Sequence, residues 1–471
     1  MIDGVKNQPW RPDACPDAEC ALQHLSEPGY AHEMGKRFAQ VMAIATLLVW
    51  SGRASALVVC ETDCDGDRTV TVDELIRSVG IALGADPLTS CPAADPTGDG
   101  EVMIDDIITG LDRALDHCPA AYPRDDVLRL NQMQVLGSHN SYHVHSPPAL
   151  FQAVADFSQP IADTLDYGHP PLAEQFSERG IRQIELDVFA DPQGGLFAHP
   201  LGLAIVTGDP DLRIPELEAP GLKVLHVQDI DYYTNCQTFV ECLSQIRAWS
   251  EAHPLHAPLM IQVEAKDDVL PAGLGFDFVV PVPIGPAEMD AIDYEIRSVF
   301  PPESLITPDD VRGSHATLRE AIEQDGWPTL AESRGKVFFC FDNENATKTF
   351  YLNGHPSLRG RIMFTSSAPP ADEAGFVKLN DPLGDFARIQ EYVGQGYIVR
   401  TRADADTVQA RTGDTTMRDA AITSGAQFVS TDYPVPDPRF GTGYMVEIPG
   451  GMPARCNPIS APAECVAGDI E

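Results

Sequence analysis

Short apolar runs recur along the chain from residue 121 onward, and each run has the length of a β-strand. Between them, apolar residues follow a helical spacing, as in 239–253, 289–300 and 386–393. The runs lack the alternation of a half-exposed strand, which predicts a parallel sheet covered by helices on both faces. The eight runs are 132–138, 182–189, 222–229, 259–266, 336–342, 361–367, 396–404 and 426–434.

Eight strands separated by helices predict an α/β fold, a (β/α)8 TIM-type barrel over residues 121–445. An open doubly wound sheet is the alternative, but no glycine-rich phosphate loop follows the first strand. Residues 446–471 are expected to form a C-terminal tail. Because such barrels carry their active sites at the carboxyl ends of the strands, polar residues at those ends are the candidates for function.

The segment 34–56 combines two basic residues, an apolar run of about ten residues and an Ala-Ser-Ala sequence. This pattern predicts a secretory signal peptide, because the apolar run is too short to span a bilayer. Residues 1–33 are then an upstream extension from a misassigned start, and the mature chain begins near Leu57. The protein is expected to be secreted, periplasmic or held at the cell surface. A short buried helix is the alternative interpretation.

Two acidic loops, 63–74 and 95–106, start 32 residues apart, and an apolar helical stretch follows each. Oxygen-bearing side chains fall at loop positions 1, 3, 5 and 12, the spacing that surrounds Ca²⁺ in an EF-hand. Gly100 occupies the sharp-turn position of the second loop, where the first loop has Arg68. The candidate ligands are Asp63, Asp65, Asp67 and Glu74 in the first loop and Asp95, Thr97, Asp99 and Asp106 in the second.

Residues 57–120 therefore resemble a dockerin-like or EF-hand pair. This resemblance implies a small α-helical module that calcium folds and that could dock a protein partner.

The chain carries 70 acidic side chains against 32 basic ones, a net charge of −38. A nucleic-acid-binding protein would be expected to be basic, so that class is disfavoured. General solubility, an acidic habitat and cation binding are the three interpretations of this acidity.

Nine of the eleven cysteines follow residue 56, and export makes disulfides plausible. Cys236 and Cys242 form one close pair, and Cys456 and Cys465 form another. Cys340 lies alone in an apolar run and is expected to be a buried thiol. The sequence leaves open how Cys60, Cys64, Cys91 and Cys118 are connected.

A cluster of oxygen ligands is predicted at the mouth of the barrel. Glu185 and Asp187 are two residues apart in one strand, so both side chains point into the barrel. Glu264 adds a third carboxylate, and Asn140, after the first strand, adds an amide oxygen. Buried carboxylates repel one another unless a cation lies between them. A set made of oxygen alone is typical of Ca²⁺, whereas Zn²⁺ would require more His or Cys.

Basic and aromatic residues at the same strand ends are candidates for binding a substrate phosphate or hydroxyl groups. They are Lys266, Arg400, Arg402 and Tyr433. For any one of the carboxylates, a salt bridge to Lys266 or Arg402 is the alternative to metal binding.

Two histidines, His139 and His199, follow the first two strands. A pair of imidazoles beside a metal can act as general base and general acid in transfer at phosphorus. One takes the proton of the attacking hydroxyl and the other protonates the leaving oxygen. His226 is open between a core and a site role. His143, His145 and His169 are expected to be loop residues without a role.

The motifs "LGSHNSYH", "QIELDVF", "FAHP" and "IQVEAKD" resemble the calcium-dependent phosphatidylinositol-specific phospholipases C over about residues 130–440. The resemblance implies that His139 is the general base and that His199 is the second catalytic histidine. It also implies that Asn140, Glu185, Asp187 and Glu264 are the calcium ligands. The metal-independent bacterial branch has an arginine where Asp187 stands, so Asp187 indicates the calcium branch.

The resulting hypothesis is an exported, Ca²⁺-dependent phosphodiesterase acting on phospholipid at a membrane surface. It would cleave phosphatidylinositol to diacylglycerol and inositol 1,2-cyclic phosphate. "TDYP" near residue 432 also resembles the glycerophosphodiester phosphodiesterases, which hydrolyse their substrates with water and usually open with His-Arg-Gly. A non-enzymatic alternative is a calcium-dependent docking protein with an inert barrel.

Overall fold

The structure is a computed structural model that describes residues 60–65, 69–96, 100–116, 122–271, 275–451 and 453–471. The predicted upstream extension and signal peptide lie outside these residues, as do Asp67, Thr97, Asp99 and Cys118. Among the described residues, no helix has both the length and the apolar composition needed to cross a bilayer.

Most of the strands in the described residues form one parallel barrel, and β3 and β10 pair with it from outside. The strands are β1 Met133–Ser138, β2 Ile181–Phe189, β3 Lys223–Val224, β4 Leu259–Lys266, β5 Val337–Phe341, β6 Met363–Thr365, β7 Phe376–Lys378, β8 Ile398–Arg402, β9 Phe428–Thr431 and β10 Ala454–Cys456. The eight barrel strands follow the order β6-β5-β4-β2-β1-β9-β8-β7. A parallel bridge between Ser366 and Phe376 joins β6 to β7, so the barrel is nearly closed. The predicted (β/α)8 architecture is confirmed.

One predicted strand is wrong. In the run 222–229, the strand β3 spans two residues and pairs antiparallel with the end of β2. The chain then turns at Asp229, where φ is 69°, instead of crossing the barrel. The missing barrel strand is β7, whose three residues are too few to show a periodicity. As a result β2 and β4 are direct neighbours, although the sequence had suggested a strand between them.

Helices connect most of the barrel strands, and three of them match the helical patterns read from the sequence. The α-helices are α1 Val72–Ala82, α2 Ile104–Asp116, α3 Pro148–Phe157, α4 Gln159–Thr164, α5 Leu172–Glu178, α6 Leu201–Thr207, α7 Pro215–Glu218, α8 Phe239–Ala252, α9 Pro286–Val299, α10 Pro308–Arg312, α11 Leu318–Gln324, α12 Leu330–Ser333, α13 Asn345–Leu352, α14 Phe386–Gly394, α15 Val408–Thr412 and α16 Thr416–Thr423. Short 3₁₀ helices lie at Leu88–Ser90, Pro92–Ala94, Leu130–Gln132, Pro302–Ser304, Pro356–Leu358 and Ala467–Asp469. Helix α8 begins where the side chain of Thr238 accepts a hydrogen bond from the Glu241 amide, as an N-cap does.

The interior of the barrel is divided along its axis. Phe338 and Phe428 lie near the N-terminal ends of β5 and β9, which are not neighbours, and their ring centroids are 5.7 Å apart. Aromatic contact across the barrel fills this half with apolar side chains. Charged side chains occupy the other half of the interior, next to this packed apolar layer.

The residues predicted as a C-terminal tail pack against the barrel. Strand β10 pairs antiparallel with the start of β1, and Val446 and Ile470 are fully buried. The side chain of Glu471 forms an ion pair with buried Arg182, with 2.5 Å between Oε1 and Nη2. This segment therefore covers the N-terminal end of the barrel, away from the strand ends that carry the polar candidates.

The segment before the barrel contains α1 and α2, each of which follows one acidic loop as predicted. Helix α1 begins with a capping box in which Thr71 and Glu74 bond each other's backbone amides. A disulfide between Cys64 and Cys91 crosses the segment. Its small apolar core consists of Cys91, Ala94 and Val102.

Two further disulfides lie in the barrel domain, Cys236–Cys242 and Cys456–Cys465. Both join the close pairs expected from the sequence, and Cys340 is a buried free thiol, also as expected.

Candidate active site

The carboxylate cluster predicted at the barrel mouth is present. Asp187 on β2 is in register with Glu264 on the neighbouring strand β4, and Glu185 lies two residues earlier on the same face as Asp187. One carboxylate oxygen from each of the three lies within 4.8 Å of the others. Burial and the charge of Asp187 raise the pKa of Glu264 well above its ordinary value. The cluster thus concentrates negative charge in a place that favours a cation.

Two basic residues already partly balance this charge. Nη2 of Arg400 is 2.5 Å from Glu185 Oε2, and both side chains are almost fully buried. Nζ of Lys266 is 3.3 Å from Asp187 Oδ2 and 3.8 Å from Glu264 Oε2. Although burial opposes its charge, these two carboxylates raise the pKa of Lys266 above its ordinary value. The salt bridges considered as an alternative therefore exist beside the cluster, and Arg400 takes the place suggested for Arg402.

The residues at this mouth fit Ca²⁺. Both carboxylate oxygens of Asp187 and the Oδ1 atom of Asn140 are buried without a hydrogen-bond partner among the described residues. The amide of Asn140 is oriented, because its Nδ2 donates a hydrogen bond to the Tyr167 hydroxyl at 2.9 Å. Although Lys266 lies beside Asp187, oxygen atoms without a hydrogen bond in a buried acidic cluster are the kind of ligand that Ca²⁺ prefers.

The loop after β1 is tied directly to β2. The Ser141 amide donates to the Glu185 carbonyl at 3.0 Å, and the Glu185 amide donates to Ser141 Oγ at 2.8 Å. Asn140 itself has a φ of 44°, a left-handed conformation that asparagine tolerates better than most residues. These bonds place Asn140 next to the carboxylates of β2.

His139 is held by a carboxylate. Its Nδ1 atom is 2.9 Å from Asp432 Oδ1, and the second oxygen of Asp432 is 3.2 Å from Nη2 of Arg402. Burial and the Arg402 cation lower the pKa of His139, so the imidazole is neutral near pH 7. Although burial opposes it, His139, which is charged at the low pH where Asp432 titrates, holds the pKa of Asp432 well below its ordinary range. With Nδ1 bonded to Asp432, Nε2 of His139 is left to accept a proton.

His199 occupies a different environment. Its side chain is 49% exposed, and Nε2 lies 3.7 Å from the exposed carboxylate of Glu218. Among the described residues, no hydrogen bond or ion pair joins His199 to His139 or to the carboxylate cluster. The structure thus brings the other predicted residues of β1, β2, β4 and β8 together but leaves His199 at the surface.

Tyr433, the last predicted substrate-binding residue, is buried. Its ring packs against Phe440 and Tyr444, with centroids 6.0 Å and 6.1 Å away. This environment is that of a core residue beside Asp432, which Tyr433 directly follows.

Sequence reasoning missed a second group of polar residues at the mouth. Both carboxylate oxygens of Asp231 are 2.9 Å from Nε2 of His143, and its Oδ2 is 2.7 Å from Nδ1 of His226. His169 Nε2 lies 2.8 Å from the carbonyl of His139. The motif "HVQDID" from residue 226 was the one available signal, since it follows an apolar run with a histidine and two acids.

An apolar cleft of about 340 Å³ opens on the same end of the barrel. Its lining comes from the segments that follow β1, β2 and β4, and so from the carboxyl side of the strands. Phe157 on α3, Ile205 on α6 and Phe276 after β4 are three lining residues that are also exposed. Such a surface suits an apolar ligand better than a water-soluble one.

The acidic loops before the barrel also bring candidate ligands together. Oxygen atoms of Asp63, Asp65 and Glu74 lie within 4.8 Å of one another. Glu74 Oε1 accepts a hydrogen bond from the Cys64 amide at 2.7 Å. In the second loop Asp95 Oδ2 accepts from the Gly100 amide at 2.7 Å, and Asp106 Oδ2 accepts from the Met103 amide at 2.8 Å.

A barrel whose mouth carries a carboxylate-bound histidine and an oxygen-only cluster that fits a metal ion has the kind of site that metal-dependent hydrolases use. The family model described as "Phosphoinositide phospholipase C, Ca2+-dependent" matches residues 128–458, and the chain belongs to this family. It is therefore a phosphoric diester hydrolase, and Ca²⁺ is its cofactor. Both expectations from the sequence are confirmed.

Solved structures similar to this chain include bacterial enzymes of the same kind. A calcium-dependent phosphoinositol-specific phospholipase C from Pseudomonas sp. has 16% identity and a TM-score of 0.43, covering 71% of this chain and 97% of its own. A Ca²⁺-dependent phosphatidylinositol-specific phospholipase C from Streptomyces antibioticus has 19% identity and a TM-score of 0.40, covering 67% and 97%. A glycerophosphoryl diester phosphodiesterase from Parabacteroides distasonis has 12% identity and a TM-score of 0.25, covering 64% and 84%. Among curated proteins, none is significantly similar to this chain.

Proposed function

We propose that this enzyme cleaves phosphatidylinositol by internal attack of the inositol 2-hydroxyl, releasing diacylglycerol and inositol 1,2-cyclic phosphate. The observation that carries the proposal is His139, which is bound to Asp432 and directly precedes Asn140, whose buried Oδ1 has no hydrogen-bond partner among the described residues. A neutral imidazole with a free Nε2 is the group needed to take the hydroxyl proton. The carboxylate of Asp432 stabilises the imidazolium that forms.

Calcium would be held by Asn140, Glu185, Asp187 and Glu264, and when bound it would lower the hydroxyl pKa and balance charge on the phosphate. Arg402 is 14% exposed beside Asp432, so its guanidinium can contact the phosphate while it orients that carboxylate. Arg400 is committed to Glu185 and to Asn380, so its role is to hold the ligand cluster in place.

The leaving glycerol oxygen requires a proton from a second group, because an alkoxide is a poor leaving group. His199 is the candidate indicated by the sequence, and His226 is the candidate indicated by the structure.

The test is phosphorus NMR of phosphatidylinositol incubated with the protein, with and without chelator. The expected result is a cyclic phosphate that forms only when calcium is present. Direct formation of a non-cyclic phosphate would favour attack by water and the alternative of a glycerophosphodiester hydrolase. Failure to turn over either type of diester would favour the inert barrel.

A lipid substrate is supported by the apolar cleft beside the site, since acyl chains or a bilayer surface can cover its exposed aromatic and aliphatic residues. Replacing Ile205 with Asn should weaken turnover of vesicles more than turnover of a soluble short-chain analogue. Equal losses on both substrates would contradict a role in lipid contact.

Export is supported by the three disulfides of the described chain, which persist in oxidising compartments. If residues 34–56 are a signal peptide, protein collected outside the cytoplasm should begin near Leu57. Material that keeps these residues after export would contradict this.

A docking role for the calcium module is favoured by two matching apolar stripes. Each helix of the module presents four apolar side chains at helical spacing, all between 39% and 80% exposed. The stripes are Val72, Ile76 and Val79 on α1 with Leu83 at its C-cap, and Ile104, Ile108, Leu111 and Leu115 on α2. Replacing Ile76 and Ile108 with Ser should abolish any partner binding and leave phosphodiesterase activity unchanged. Loss of activity in that variant would show that the stripes serve the barrel instead.

A further inference from the structure

Two histidines at the barrel mouth are held in the same way. Nδ1 of His139 lies 2.9 Å from Asp432, and Nδ1 of His226 lies 2.7 Å from Asp231. Each imidazole is 17% exposed, and each carboxylate is 2% exposed or less. In the described part of the chain, neither Nε2 atom has a hydrogen-bond partner. Both rings are therefore fixed at Nδ1 and keep Nε2 without a hydrogen bond to the described residues.

The two imidazoles also pack around the same residue. The ring of Tyr167 is 6.2 Å from that of His139 and 6.5 Å from that of His226, measured between centroids. The hydroxyl of Tyr167 accepts the hydrogen bond from Asn140. One buried tyrosine thus links both histidines to the oxygen cluster.

The carboxylate that holds His226 is itself anchored. Asp231 is 1% exposed, and fully buried His143 contacts both of its oxygens at 2.9 Å. A fixed carboxylate holds the imidazole in one orientation, as needed for a group that must deliver a proton to one particular oxygen. His199 has no such support, because its partner Glu218 is 56% exposed and a surface ion pair orients a side chain weakly.

We infer that His226, positioned by Asp231, is the catalytic acid that protonates the leaving glycerol oxygen, in place of His199. The inference rests on the proposed function. In the step, the 2-hydroxyl oxygen forms a bond to phosphorus while the bond from phosphorus to the glycerol oxygen breaks. Nε2 of His139 takes the hydroxyl proton, and the proton on Nε2 of His226 goes to the glycerol oxygen. One proton is gained and one is given, so the step is balanced.

The test compares His226→Ala with the matched variant His199→Ala in the full chain with Ca²⁺. Two substrates are used, phosphatidylinositol and an inositol phosphate diester with a nitrophenolate leaving group. Nitrophenolate departs without a proton, so the loss of an acid should matter little there. On the lipid, His226→Ala should lose roughly 10²–10⁴-fold in kcat. On the nitrophenyl ester most of that loss should disappear. His199→Ala should stay close to wild type on both.

The inference is overturned if His199→Ala shows the leaving-group rescue, or if His226→Ala loses equally on both substrates. Wild-type activity in His226→Ala on the lipid overturns it as well. His226→Gln serves if the alanine variant does not fold, since it fills the same space without a titratable proton. Asp231→Asn should give a smaller loss with the same leaving-group pattern, as expected for a positioning residue.

The proposed function is tested separately, with the wild-type protein. If wild type makes no cyclic phosphate from phosphatidylinositol, the function is wrong before any variant is compared. If wild type makes it and His226→Ala equals wild type, the assignment of the acid alone is wrong.

Discussion

Two groups of three carboxylates in this chain gather oxygen atoms within the same distance of 4.8 Å, yet they are built in opposite ways. At the barrel mouth, Glu185, Asp187 and Glu264 project from neighbouring strands and are balanced by buried basic side chains. In the N-terminal loop the three acids lie within twelve residues, and Glu74 is bonded by backbone amides.

The pKa values of one glutamate in each group move in opposite directions. Burial and Asp187 raise the pKa of Glu264, so the barrel cluster is under electrostatic stress that a cation relieves. Although partial burial opposes it, the backbone amides of Thr71 and Cys64 lower the pKa of Glu74. The Glu74 carboxylate is therefore stabilised in its ionised form. The comparison indicates that a barrel can hold carboxylates that repel one another, whereas a short loop must satisfy its carboxylates with its own backbone amides.

The largest expected effect separates the two groups by activity. His139→Ala should reduce turnover of phosphatidylinositol by roughly 10²–10⁴-fold, because the attacking hydroxyl loses its base. Asp63→Ala should leave turnover close to wild type, because an EF-hand loop takes its calcium ligands from within the loop. The measurement is the initial rate at saturating Ca²⁺. A loss of similar size in Asp63→Ala would show that the module and the barrel are coupled in catalysis.

The next effect concerns the stability of the barrel without calcium. Arg400→Met leaves Glu185 buried without its partner, and breaking a buried ion pair costs about 3–5 kcal/mol of unfolding free energy. Chemical denaturation in chelator measures it. The double variant Glu185→Gln, Arg400→Met should recover most of the loss, since no unpaired charge remains. A double variant as unstable as the single one would mean that Arg400 acts mainly through packing.

A smaller effect distinguishes the carboxylate cluster at the barrel mouth from the loop cluster by the calcium dependence of activity. Asp187→Asn should raise the Ca²⁺ concentration needed for half-maximal activity by about tenfold or more, since even partners of metal ligands contribute 10–100-fold. Glu74→Gln is the matched control, because it alters the loop cluster and should leave that concentration unchanged. An equal shift in both variants would remove the distinction drawn between the clusters.

The smallest effect is confined to the module. Thr71→Ala removes the side chain that caps α1 and accepts from the Glu74 amide, at a cost of about 1 kcal/mol. Hydrogen exchange should quicken within residues 69–82 and stay the same in β1, β2 and β4. Faster exchange in the barrel strands would show that the two parts unfold together.

The sequence was sufficient for the barrel and for the carboxylate cluster because both depend on local pattern. Glu185 and Asp187 share a face by their spacing alone, and the apolar runs mark most strands. Pairing is less accessible, since β7 has three residues and the run at 222–229 reads as a strand until it turns at Asp229.

Long-range ion pairs could not be read from the sequence at all. Arg400 and Glu185 are 215 residues apart, and Asp432 and His139 are 293 apart. His226 had a neighbouring acid in the sequence, but its closeness to His139 depends on Tyr167, which no motif marked.

The pairing of β1 with β10 has a consequence for how the chain folds during synthesis. Gln134 on β1 accepts hydrogen bonds from Arg455, which is 321 residues later in the chain. The N-terminal end of the barrel, where β10 pairs with β1, therefore remains incomplete until residues 454–456 have left the ribosome. A strand cannot pair with a partner that has not yet been made. Contacts of such long separation also slow folding. Because β1 waits for β10, the barrel stays incomplete during synthesis, which lengthens the time in which a chaperone could engage the chain.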